Sequence, residues 1–179
     1  MPIAGVIASS ISGHLSTNNY FLISQSLPSA VSTVTFSSIP STYKSLQVRF
    51  NLVGTSNSEF DLQFNGDGSV SNYAYHYLTA RGSSVTVGGH ASGTQGSIPI
   101  LHTGSVTIYP TVAIIDVVDY ANTSKNKTSK VLAGSNDNLT IDPVVELVSG
   151  LWLSTAVITS LTISSGFIFT GTISLYGVS

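Results

Sequence analysis

Four histidines, His14, His76, His90 and His102, are the side chains best suited to hold a metal, but their spacing follows no ligand pattern. Folding alone would have to gather His76, His90 and His102. Two carboxylate pairs, Glu59 with Asp61 and Asp116 with Asp119, carry the residue types of general acid and base chemistry, which requires them to converge in a cleft. Close together in β-prone runs, they read instead as groups that keep an exposed strand face wet. The stretch Asn65-Gly66-Asp67-Gly68-Ser69 opens like a calcium loop but lacks the closing bidentate Glu, and a hairpin turn accounts for it better. No G-x-S-x-G elbow, phosphate-binding loop, H-E-x-x-H or dinucleotide fingerprint occurs. Tyr73, Tyr75 and Tyr77, with Trp152 further on, have the makings of an aromatic platform for sugars. Core or subunit interface is the preferred reading of the same rings, since each joins an apolar body to a polar tip. The chain therefore reads as a non-enzyme, with no catalytic, cofactor-binding or metal-ligating residue assigned.

Charge is scarce. Only 8 % of the 179 residues are charged, against roughly 25 % in ordinary soluble domains. Ser, Thr, Asn and Gly take the place of the missing charge, so self-repulsion is weak and the surface suits close association. A formal net charge of −2, with Lys125, Lys127 and Lys130 the one local basic group, argues against nucleic acid. Those lysines fall in a polar stretch that reads as a solvated loop. With no cysteine, the fold must rest on packing and sheet hydrogen bonds. No apolar run approaches the ~18–20 residues that span a bilayer, so no membrane partner is expected. The opening residues are apolar but lack the basic region of a secretory signal. Residues 1–18 read as an extended N-terminal arm whose Ile3, Val6, Ile7 and Ile11 dock on a neighbour.

The elements that must position these residues show period-two alternation. Residues 45–54 put Leu46, Val48, Phe50 and Leu52 on one face, and residues 59–64 put Phe60, Leu62 and Phe64 together. A tight reversal at Asn65–Gly68 follows, then Tyr73, Tyr75 and Tyr77 on one face of a strand over 73–78. Residues 111–120 read as a central strand buried on both faces over part of its length. Shorter β-prone runs lie at 20–24, 33–37, 130–134, 144–148, 151–154, 160–164 and 172–178. An all-β fold, an antiparallel β-sandwich over residues 19–179, follows. The Gly- and Ser-rich stretch 82–97 is expected to form a long surface loop, either a contact element or a loosely packed linker. Val85, Val87 and His90 are its candidate partner-binding residues.

Several segments resemble a widespread group of small virion proteins of tailed bacteriophages, including cyanophages and other aquatic phages. They are Ala4–Gly13 (AGVIASSISG), Phe36–Arg49 (FSSIPSTYKSLQVR), Leu62–Tyr73 (LQFNGDGSVSNY), Ile115–Lys125 (IDVVDYANTSK), Ser149–Trp152 (SGLW), Ile158–Ile163 (ITSLTI) and Leu175–Val178 (LYGV). Members carry Thr after the aspartate where this chain has Gly68, which alters a loop. The resemblance implies a jelly-roll-type module, commonly trimeric, that serves as a capsid decoration or cement protein. It would bind the major capsid protein or other virion proteins on the outer capsid surface. The alternative is a tail or fibre-associated module that binds a receptor or carbohydrate. No catalytic residues come with the group.

Overall fold

The computed structural model describes residues 19–56, 59–101, 110–135 and 143–179. Its elements are β1 (Tyr20–Ser26), β2 (Val31–Phe36), β3 (Ser45–Gly54), β4 (Phe60–Phe64), a single 3-10 turn (Val70–Asn72), β5 (Tyr73–Arg81), β6 (Ser84–His90), β7 (Ile98–Leu101), β8 (Thr111–Val118), β9 (Lys127–Ser135), β10 (Val144–Trp152) and β11 (Leu161–Val178). All pairings are antiparallel, and the strands join in one sheet ordered β6-β5-β10-β9-β8-β3-β11-β4-β7. The all-β antiparallel class expected from alternation is the class observed.

The sheet curls into a half-barrel because β11 serves two neighbourhoods. Its first residues, Leu161 to Ser165, pair with β4, and those up to Ser164 also pair with β2. Its later residues, from Phe169 onward, pair with β3, and the last of them also with β1. The curl brings β7 back against β10, β9 and β5. Closure depends on Gly150 of β10. A Cβ there would lie 2.6 Å from two methyl carbons of Ile98, so the absence of a side chain lets β7 seat. The concave side holds one core, with Leu46, Val48, Phe60, Leu62, Phe64, Ile115, Val117, Ile163, Ile173 and Leu175 all buried.

Four expectations are corrected. Residues 84–90 form a strand rather than a loop. They pair without a register break with Tyr75–Arg81, because Val85-Thr86-Val87 alternates and Tyr77 and His76 pack over Gly88 and Gly89. Asn65-Gly66 does turn the chain tightly, with φ of 53° and 66° and Asp67 N donating to Phe64 O at 2.9 Å. It is not a hairpin, since β4 pairs with β11 and β7 while β5 pairs with β10 and β6. The strand at 111–118 is central in the sheet but buried on one face only. Lys127 is not solvated. Its side chain is fully buried, and its ammonium donates to the carbonyls of Asn122 and Lys125, closing the β8–β9 turn. The arm expected over residues 1–18, with Ile3, Val6, Ile7 and Ile11, lies outside the described residues.

Candidate functional site: the outer face of the sheet

The register places residues of β6, β5, β10, β9 and β8 in rows across the convex face, since directly opposed residues point the same way. One row runs Val87, Leu78, Leu147, Leu132, Ile114 and ends at Arg49 of β3. The next runs Val85, Ala80, Val145, Gly134, Val112 and ends at Asn51. Both are open to solvent. Val87 is 73 % exposed, Val85 68 %, Val145 53 % and Leu132 50 %. At about 4.8 Å per strand the band spans roughly 20 Å, with its two rows ~7 Å apart. A continuous strip of aliphatic side chains of this kind marks a surface that another molecule covers. A shallow groove of about 410 Å³ lies within it, lined by Val112, Ile114, Leu132, Gly134 and Val145, with Arg49 at one end.

A polar row borders the band. His76, Ser149, Lys130, Asp116 and Gln47 stand opposite one another across β5, β10, β9, β8 and β3. Gln47 Nε2 donates to Asp116 Oδ1 at 2.6 Å, and Lys130 lies 3.3 Å from Asp116 Oδ2. The two carboxylates of the pair at 116 and 119 do not act together, because Asp119 turns to Lys125 at 3.4 Å.

Of the candidate contact residues, Val85 and Val87 belong to the band, while His90 does not. His90 lies on the opposite face of β6, its ring 5.1 Å from that of Tyr75. The alternation also separates His76, which is outward, from His90, and His102 lies outside the described residues. Among the described residues no group of three His, Asp or Glu side chains is placed to hold a metal.

The aromatic residues are core. Tyr73, Tyr75 and Trp152 are buried and Tyr77 is half-buried against that core. Trp152 Nε1 donates to Asp67 Oδ2 at 2.8 Å, and the Tyr73 hydroxyl donates to Asp67 O at 2.9 Å and accepts from Phe64 N at 3.0 Å. Asn72 Nδ2 and Ser69 N also donate to the Asp67 carboxylate, so both of its oxygens are engaged by N–H groups. These donors lower the Asp67 pKa despite the raising effect of burial. The turn that resembles a calcium loop is thus an anchor for Trp152.

A second cluster went unnoticed in the sequence. Glu146 of β10 is fully buried and accepts a hydrogen bond from Thr79 Oγ1 at 3.0 Å. Its charge reaches Glu59, whose carboxyl is pushed up to about 7 by burial first, then by the charges of Asp61 and Glu146. Asp61 accepts from Ser97 Oγ at 2.8 Å. Burial, followed by the charges of Glu59, Tyr77, Asp61 and Glu146, pushes the Tyr75 hydroxyl up to about 12. The signal was available, since Val144-Val145-Glu146-Leu147-Val148 sets Glu146 in phase with the two buried valines. Glu59 and Asp61, expected from their spacing to wet an open face, are both half-buried.

The chain matches no protein-family model and no curated protein. No helix of the described residues is long and apolar enough to cross a membrane.

Proposed function

We propose that this chain is a non-enzymatic virion structural protein, a capsid decoration or cement protein that binds the outer head surface as a homo-oligomer and stabilises the shell. The observation that carries the reading is the uncovered aliphatic band from Val87 to Ile114. In a chain with so few charges, covering that band with a neighbour removes a continuous apolar area from water. A stable interface needs ~800 Å² from each partner, so the polar row and the neighbouring β1 edge would form its rim. Tyr20 and Leu22 of β1 are exposed on the same face and extend the apolar area there.

The phage setting, the jelly-roll type and the threefold assembly come from the sequence resemblance. Pairing of the first strand with the last, which ties the two ends of the domain together, is compatible with a jelly-roll wrap. A partner that binds only the assembled lattice stabilises it by its own binding free energy. The copy number per particle tests the location: hundreds indicate the head, a few dozen or fewer the tail, which would favour the fibre-associated alternative. Light scattering tests the oligomer. Native chain of three-protomer mass and monomeric Leu147→Glu, with unchanged circular dichroism, are expected. A native monomer that leaves purified heads unoccupied would overturn the reading. Deleting residues 1–13 should remove head binding while the domain stays folded.

A further inference from the structure

We infer that Arg49 and the groove opened by Gly134 form a single anchor for a neighbouring protein segment that presents an apolar side chain and a carboxylate. The inference rests on the outer face being an association surface, and it names the chemistry of the partner.

Arg49 is held in place without being neutralised. Its guanidinium carbon lies 4.8 Å from the ring centroid of Tyr20 and 5.0 Å from that of Tyr176. Its Nε donates to Gln47 Oε1 at 2.6 Å, and Gln47 is fixed in turn by Asp116. Asp116 is the nearest acid in this chain of contacts, and its charge is answered by Lys130 at 3.3 Å. Among the described residues Arg49 makes no ion pair. Two tyrosine rings and one amide therefore orient a guanidinium whose terminal N–H fork remains available. Such a fork matches a carboxylate in bidentate fashion, and ordering it beforehand lowers the entropy lost on binding.

The groove beside it is not a requirement of the fold. A Cβ on Gly134 would meet nothing nearer than Val144 O at 3.6 Å, an ordinary contact. Glycine within a strand weakens it, so the backbone gives no reason for glycine here. What glycine does is leave a dent between Val112 and Val145, its neighbours across β8 and β10. Apolar walls select against a bare inorganic anion and favour an anion carried on an apolar body. Two strand spacings, about 10 Å, separate the dent from β3. An apolar residue and a Glu or Asp two positions later on one strand face, about 7 Å apart along the backbone, cover that distance once the acidic side chain is extended toward Arg49. A free amphiphile would leave Leu147, Leu78 and Val87 uncovered, whereas a protein segment continues across them.

The test uses the full chain with hexanoate as probe and hexylammonium as its cationic match, followed by methyl NMR. Hexanoate is expected to bind in the millimolar range and shift the methyls of Val112, Ile114, Leu132 and Val145, with hexylammonium at least tenfold weaker. Arg49→Gln should erase that preference, Arg49→Lys should keep its sign but weaken hexanoate binding through loss of the bidentate fork, and Gly134→Leu should weaken hexanoate at least tenfold without loss of fold. Equal binding of the two probes, or hexanoate binding unaltered by these substitutions, would overturn the anchor. So would normal head occupancy by Arg49→Gln, which would leave a site for free amphiphiles only. Leu147→Glu lies outside the groove lining, so loss of assembly in that variant alongside a failed hexanoate titration would sink the anchor and spare the association surface.

Discussion

The Trp152 indole N–H points at the Asp67 carboxylate across 2.8 Å, joining the end of β10 to the reversal that follows β4. The two residues are far apart in sequence, and β10 does not pair with β4, the strand that leads into the turn holding Asp67. The bond therefore fastens one part of the curl to another at a place where no ladder does so.

Asp67→Ala should consequently destabilise the domain by about 1–3 kcal/mol, because the buried indole N–H loses its acceptor. Equilibrium denaturation followed by tryptophan fluorescence measures this directly. The pH dependence has a defined sign. Hydrogen bonds hold the folded Asp67 pKa below its ordinary 3.8. Its contribution is complete above that value and is lost as pH falls through the lower folded value. Asp67→Asn should flatten this acid limb. An unchanged limb would show that Asp67 does not govern it.

Glu59 predicts the opposite slope. Its folded pKa, about 7, stands above the ordinary 4.5, so the folded state holds the proton more tightly. The resulting stabilisation is complete below 4.5 and disappears as pH rises through 7. After allowance for partial solvent exposure the span is about 1 kcal/mol. Denaturation midpoints between those pH values should rise on acidification in the native chain and stay level in Glu59→Gln.

Much of the architecture was legible because Leu46, Val48, Phe50 and Leu52 alternate cleanly with Gln47, Arg49 and Asn51. β6 was hidden by Gly88 and Gly89, and β7 by Pro99 in a run only four residues long. Gly150 looked like a break, which split β10 into two runs, although it is where another strand packs. The site was half legible. Val85 and Val87 stand out in the sequence, but Ile114 and Val112 sit in a strand aliphatic on both faces, and local pattern does not say which face a second layer covers. Glu146 was legible from its phase. The Arg49 clamp was not, because Tyr20, Arg49 and Tyr176 meet only through the pairing of the first, third and last strands.

Two glycines on neighbouring strands should respond in opposite ways to alanine. At Gly134 the new methyl makes only an ordinary contact with Val144 O, and the reduced freedom of the unfolded chain should leave stability equal or raised by about 0.5 kcal/mol. At Gly150 it would meet Ile98 and the Ser129 hydroxyl at 2.6 Å, costing about 1–3 kcal/mol. Equal responses in thermal denaturation would show that β7 does not seat through Gly150.

The Ser129 hydroxyl beside Gly150 is buried without a hydrogen-bond partner, the sole such side-chain group among the described residues. Withdrawing a hydroxyl from water with nothing in return costs about 1–3 kcal/mol, so Ser129→Ala should stabilise the domain by about 1 kcal/mol. The substitution also removes one of the atoms that crowd a methyl at Gly150. The double variant Ser129→Ala, Gly150→Ala should therefore lose less than the sum of the single effects, by roughly 0.5 kcal/mol or more. Strict additivity would mean that Ile98 alone sets the clearance at Gly150. A stability loss in Ser129→Ala would mean that the hydroxyl is satisfied in solution, and hydrogen exchange at the β9–β10 ladder would then register the lost contact as faster opening.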